Sequence, residues 1–182
     1  MNGFQIPRAY YFVGLLTGGA TLQCLVSTQY EKFQRQAVFN PPMMETITMN
    51  LPSEYKYLGG YEGYPDDGNG VYSKHLSYGD WVQLNVMQRI KRNNVEQLCF
   101  FAPFSLINGI FFPYTTCLLL SGYIGGRTMY KAGYMTDEAD MNQIRQVGSL
   151  TVNVCSITTM LLILFSGLRF YGYGLRFTRF IK

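Results

Sequence analysis

The stretch "NVEQLCFFAPFSLINGIFFPYTTCLLLSGYIGGRTMY", residues 94–130, decides the fold. It is apolar almost throughout, yet far too long for one membrane crossing, which takes about 20 residues at 1.5 Å rise. Gly109 and Pro113 in "NGIFFPYTT" supply a break, because proline cannot continue a helix from the preceding turn. The stretch therefore predicts two spans, about 92–111 and 114–133. Working outward, "AYYFVGLLTGGATLQCLVSTQ", residues 9–29, is a further span, with Gly14, Gly18 and Gly19 offering close helix contacts. "VGSLTVNVCSITTMLLILFSGL", residues 147–168, is the last. The expected class is all-α and integral to a membrane, a bundle of four transmembrane helices forming a single domain over 1–182.

Composition agrees. Hydrophobic residues make up 48% of the 182 and charged residues only 14%, apolar for a soluble chain of this size. The 15 Tyr and 13 Phe suit bilayer interfaces, where an apolar ring carries or adjoins a wet polar group. Arg8 precedes the first apolar stretch, but no clear small-residue cleavage pattern follows, so a retained helix is expected there. Residues 30–80 read as a long, irregular polar loop with turns around 65–70, a docking element or a cap. The tail 169–182, "RFYGYGLRFTRFIK", interleaves cations with aromatics and reads as an interfacial anchor on membrane lipids. From Arg145 onward five basic residues face no acidic one, which favours anionic headgroups over nucleic acid. Cys24, Cys99, Cys117 and Cys155 lack metal-type spacing and read as buried, inert thiols. His75 alone makes no metal site.

The charges at the head of the second span need a reason. Ionised side chains in a membrane cost at least ~2.5 kcal/mol and normally face a partner inside the bundle. Arg89, Asn93 and Glu96 fall at i, i+4 and i+7 of a helix, with Arg92 placed to pair with Glu96. They read either as headgroup-level anchors or as half of a polar pocket. Arg127, Tyr130 and Tyr134 in "GGRTMYKAGYM" share one face of the next span and supply the other half of such a pocket.

Four motifs together resemble the membrane-associated proteins in eicosanoid and glutathione metabolism, the MAPEG family, most closely its type-three microsomal glutathione transferase branch. They are "FVGLLTGGA", the Arg-x-x-x-Asn-x-x-Glu of "QRIKRNNVE", the Gly-Arg-x-x-Tyr-x-x-Gly-Tyr of "GGRTMYKAGYMT", and "VGSL". The resemblance implies a left-handed four-helix bundle that assembles as a homotrimer with glutathione bound between protomers. It implies glutathione contacts from Arg89, Asn93, Glu96, Arg127, Tyr130 and Tyr134, with a basic residue after span one, here Lys32. The arginine that activates the thiolate would be Arg145, which falls near the expected place. The chain departs from the pattern at Lys91, where the branch has histidine, and at Glu31, where a basic run is usual. It departs again in "MTDEADMNQIRQ", where Asp137, Glu138 and Asp140 replace basic residues.

Two functions follow. One is a glutathione transferase or peroxidase acting on lipophilic electrophiles or lipid hydroperoxides. The other, the leading expectation, is a catalytically degenerate subunit packed among neighbouring membrane proteins, for example in a respiratory assembly, favoured by the acidic linker and by a long polar loop that a compact enzyme does not need. The corresponding membranes are the endoplasmic reticulum and the mitochondrial inner membrane.

Overall fold

A computed structural model of the chain describes residues 6–50, 52–54, 66–135 and 139–180. The described residues are helical, with no strand among them: α1 (Tyr10–Val38), α2 (Pro41–Asn50), a short 3-10 turn (Tyr72–His75), α3 (Tyr78–Phe111), α4 (Pro113–Met135) and α5 (Ala139–Phe180). The expected break falls where the sequence puts it. Pro113 opens α4, where its missing N–H costs nothing, and the Thr116 N–H bonds back to the Phe112 carbonyl at 2.9 Å.

The chain divides into two compact units, Met1–Gln23 with Asn94–Lys182, and Cys24–Asn93. In the first, Pro113, Thr116, Leu120, Tyr123, Arg127 and Tyr130 are buried on α4 in alternating steps of three and four, with Gly126 buried beside Arg127. Buried Asn94, Phe101, Ser105 and Asn108 on α3 keep the same period, as do Val152, Cys155, Thr159 and Ser166 on α5. A 3.5-residue repeat is the seam of a left-handed bundle. Phe101 stacks on Tyr123 with ring centroids 4.0 Å apart, which locks α3 to α4. Asn108 joins α3 to α5: its Nδ2 donates to the Thr159 carbonyl at 2.9 Å, and its Oδ1 accepts from Ser166 Oγ at 2.7 Å.

What faces outward is the reverse of a soluble bundle. Leu150, Val154, Ile157, Leu161, Leu164 and Phe165 are exposed on α5, whereas Gly148, Ser156, Thr159 and Ser166, with Val152 and Cys155, occupy its buried side. Small and polar residues between helices with large apolar ones outside is the arrangement a lipid solvent selects. Both α1 and the segment Asn142–Leu168 are long and apolar enough to cross a membrane.

Residues 30–80 differ from the irregular loop expected of them. Helix α1 continues to Val38, α2 follows, and α3 begins at Tyr78, before the expected 92. The reason is a second hydrophobic cluster, Phe39, Met44, Ile47, Tyr72 and Leu84, thinly spread in sequence but brought together in the Cys24–Asn93 unit. Caps mark the helix starts. Asn40 Oδ1 accepts from the Met43 N–H at 3.1 Å, ahead of Pro41 in the first turn of α2. Ser77 Oγ accepts from the Asp80 N–H at 3.2 Å and donates to the Asp80 carboxylate at 2.7 Å. The tail also continues as helix, with α5 reaching Phe180 rather than ending at 168.

Asp66 organises the connection into α3. Its carboxylate accepts from the N–H groups of Gly68, Gly70 and Ser73 and from the Ser73 hydroxyl, all within 2.7–2.8 Å. Gly68 sits at φ 94°, a conformation open to glycine, and its carbonyl accepts from the Trp81 indole at 2.7 Å. Burial pushes the Asp66 carboxyl up, but the bonds from Ser73, Gly70 and Gly68 hold it net below the usual carboxylate range. Its stabilising contribution is thus complete above the unfolded value near ~3.9 and lost as pH falls through the lower folded one. Asp66→Asn places an amide N–H against a cluster of donors and is expected to cost about 3 kcal/mol at neutral pH. Thermal unfolding from pH 7 to 3 should show the wild-type advantage shrinking below pH ~4.

Candidate functional site

Four of the expected site residues come together in the bundle. Arg127 lies on the seam of α4 with 5% of its surface exposed. Its guanidinium carbon stands 5.3 Å from the Tyr123 ring centre and 5.9 Å from that of Tyr130, close enough for cation–π attraction. Tyr130, one turn further, is buried and meets Tyr134 edge to face with centroids 5.0 Å apart. From the beginning of α5, the Arg145 guanidinium lies 4.7 Å above the Tyr134 ring. The result is a run of guanidinium, phenol, phenol and guanidinium at the C-terminal end of α4 and the start of α5.

Glycines let these helices approach. A Cβ at Gly126 would meet Val152 Cγ2 at 2.9 Å and the Gly148 carbonyl at 3.0 Å. One at Gly148 would stand 2.6 Å from the Tyr130 nitrogen and 2.7 Å from the Gly126 carbonyl. The "GGR" and "VGSL" motifs are thus two sides of one contact that carries Arg127, Tyr130 and Arg145.

The remaining candidates lie on α1 and α3. Glu96, in the same unit on α3, is exposed. Neither Arg89 nor Arg92 forms an ion pair with it among the described residues. Arg89, Asn93 and Lys32 belong to the Cys24–Asn93 unit, where Arg89 and Lys32 are exposed and Asn93 is half-buried. Asp137 and Glu138 lie outside the described residues, as does the side chain of Asp140. The cysteines are all free, and Cys99 is exposed, which corrects the expectation of four buried thiols.

Two charges set against the resemblance pair with each other. Lys91 Nζ lies 3.1 Å from Glu31 Oε2, so the cation on α3 answers the carboxylate on α1. Glu31 Oε1 also accepts from Arg35 at 3.3 Å, and both of those side chains are buried. Arg35 donates in addition to the Asp66 carbonyl at 2.7 Å and lies 3.5 Å from the Asp67 carboxylate. With the Gln88 amide oriented to satisfy both neighbours, it bridges Arg35 and the Asp67 carbonyl at 2.7 and 2.8 Å. A buried charge must be paired and hydrogen-bonded, and this network meets that need. Glu31 and Lys91 are therefore structural partners here.

Sequence reading missed Gln97 and Asn153. Arg127 Nη2 donates to Gln97 Oε1 at 2.6 Å, and Gln97 Nε2 donates to Asn153 Oδ1 at 3.3 Å. The signal was available, since each is an amide inside an otherwise apolar helix.

The molecule is thus defined first as a four-helix membrane bundle with a cationic, tyrosine-lined site on its α4–α5 contact. Residues 43–165, more than half of the chain, match the MAPEG family, and the chain belongs to it. The match begins in α2 and ends within α5. The family has a four-helix membrane fold, and its members are integral membrane proteins that are often trimeric and typically bind glutathione. No curated protein and no solved structure matches the chain.

Proposed function

We propose that this chain is a glutathione transferase or peroxidase of the type-three microsomal kind, acting on lipophilic electrophiles or lipid hydroperoxides. The observation that carries the reading is Arg145 over Tyr134, beside Tyr130 and the buried Arg127. The donor set fits glutathione, whose two carboxylates suit guanidinium forks. Arg127, flanked by Tyr123 and Tyr130, holds a carboxylate. Tyr134 orients Arg145, whose cation lowers the pKa of a neighbouring thiol and so raises its thiolate fraction. Glutathione supplies the nucleophilic thiol. Exposed Arg89 and Glu96, with Asn93 and Lys32, complete the ligand contacts in a homotrimer, and the four spans form one membrane domain in the endoplasmic reticulum or mitochondrial inner membrane.

Family membership supports this reading over a degenerate subunit of a respiratory or other assembly. The long polar segment, which favoured the subunit, contributes to a compact unit of its own, and Glu31, a departure from the resembled pattern, is paired with Lys91.

The test is turnover by the purified chain in lipid nanodiscs, with an activated aryl chloride or cumene hydroperoxide as acceptor. Arg145→Leu should lower kcat about 10-fold or more and move the pH–rate profile to higher pH, because thiolate formation loses its cation. Absence of thiol-dependent turnover in folded wild type would sink the enzyme reading.

A further inference from the structure

We infer that Gln97, steadied by Asn153, is a positioning residue that sets the charge preference of Arg127. The inference rests on the proposed binding of glutathione by Arg127 and names a determinant of that binding outside the family's motif. Arg127 Nη2 to Gln97 Oε1 is 2.6 Å, a short bond for a neutral acceptor. An amide has a donor end and an acceptor end, so its orientation depends on what lies at each. Here α4 supplies a donor and α5 an acceptor, Asn153 Oδ1 at 3.3 Å from Gln97 Nε2. The Gln97 oxygen is thereby turned towards the guanidinium. Tyr123 and Tyr130 flank the same group at 5.3 and 5.9 Å.

The choice of glutamine carries the consequence. A neutral acceptor occupies one of the five guanidinium N–H donors and leaves the positive charge in place. A carboxylate at the same position would make a charge-assisted pair and compete with an anionic ligand. Glu96, one residue earlier, is exposed. Asn153 is itself exposed among apolar neighbours on α5, where an amide is expensive unless it serves a purpose. Steadying Gln97 is such a purpose.

The experiment measures binding of glutathione, and of its diethyl ester lacking both carboxylates, to the full chain in nanodiscs. Gln97→Glu should weaken glutathione about 10-fold or more while changing the diester less than about 2-fold. Asn153→Leu should weaken glutathione roughly 3-fold, and Asn153→Gln, which keeps a neutral acceptor for Nε2, should bind within about 2-fold of wild type. Thermal unfolding of each variant shows that the bundle is intact. If wild type binds glutathione but Gln97→Glu binds it equally well, the positioning role is overturned and the glutathione reading stands. The positioning role is equally overturned if both ligands weaken together. If folded wild type does not bind glutathione, the glutathione reading fails and this inference falls with it.

Discussion

Gly148→Ala is expected to destabilise the bundle by about 2 kcal/mol, although alanine is the better helix former. The added methyl would meet the Tyr130 nitrogen at 2.6 Å, the Gly126 carbonyl at 2.7 Å and Met129 Cβ at 3.0 Å. Two of those atoms are backbone, so relief requires the helices to part rather than a side chain to turn. Overpacking of this kind costs roughly 3 kcal/mol, and the helix-propensity gain of alanine over glycine offsets about 1 kcal/mol. Gly125→Ala is the matched control. Nothing lies within 4 Å of a Cβ there, so the propensity gain acts alone and the variant should be as stable as wild type or more so. Thermal unfolding of the pair decides the point. The Gly148 variant should also bind glutathione more weakly, because Tyr130 and Arg145 lie on the helices that separate.

Arg127→Leu should separate stability from binding. A buried arginine must be desolvated on folding, which offsets much of what its bond to Gln97 and its contacts with Tyr123 and Tyr130 contribute. The leucine variant should therefore lose no more than about 2 kcal/mol of stability and remain folded. Its glutathione affinity should nevertheless fall by about 2–5 kcal/mol, roughly 30-fold or more, because the ligand carboxylate loses a desolvated partner. Arg127→Lys tests geometry against charge. It keeps the cation but loses the planar fork and the stacking on Tyr123 and Tyr130, so it should restore only part of the affinity. Binding measured beside thermal unfolding for the three proteins resolves the two effects.

The bundle was legible because its spans are written in long apolar runs and its break in Pro113. The seam was legible too, since Arg127, Tyr130 and Tyr134 share a helical face that the structure uses. The Cys24–Asn93 unit was not. Its core of Phe39, Met44, Ile47, Tyr72 and Leu84 is scattered across a polar stretch and meets only through tertiary contacts. Asp66 shows the same limit. One carboxylate gathering four donors from a seven-residue window reads, in one dimension, as an acid in a glycine-rich loop. Glu31 and Lys91 looked like losses from a binding site when read singly, because residues 60 apart give no sign that they touch. Arg145 was ambiguous for a related reason. Its place in sequence is separated from Tyr134 by an acidic linker, and only the packing of α5 on α4 brings the guanidinium over the ring.

Titration calorimetry of glutathione into the full chain in lipid nanodiscs tests the central claim most directly. Saturable binding is predicted for wild type and for Gly125→Ala, with its loss in a folded Arg127→Leu variant. No saturable heat from folded wild type, or equal binding by wild type and Arg127→Leu, would contradict the claim.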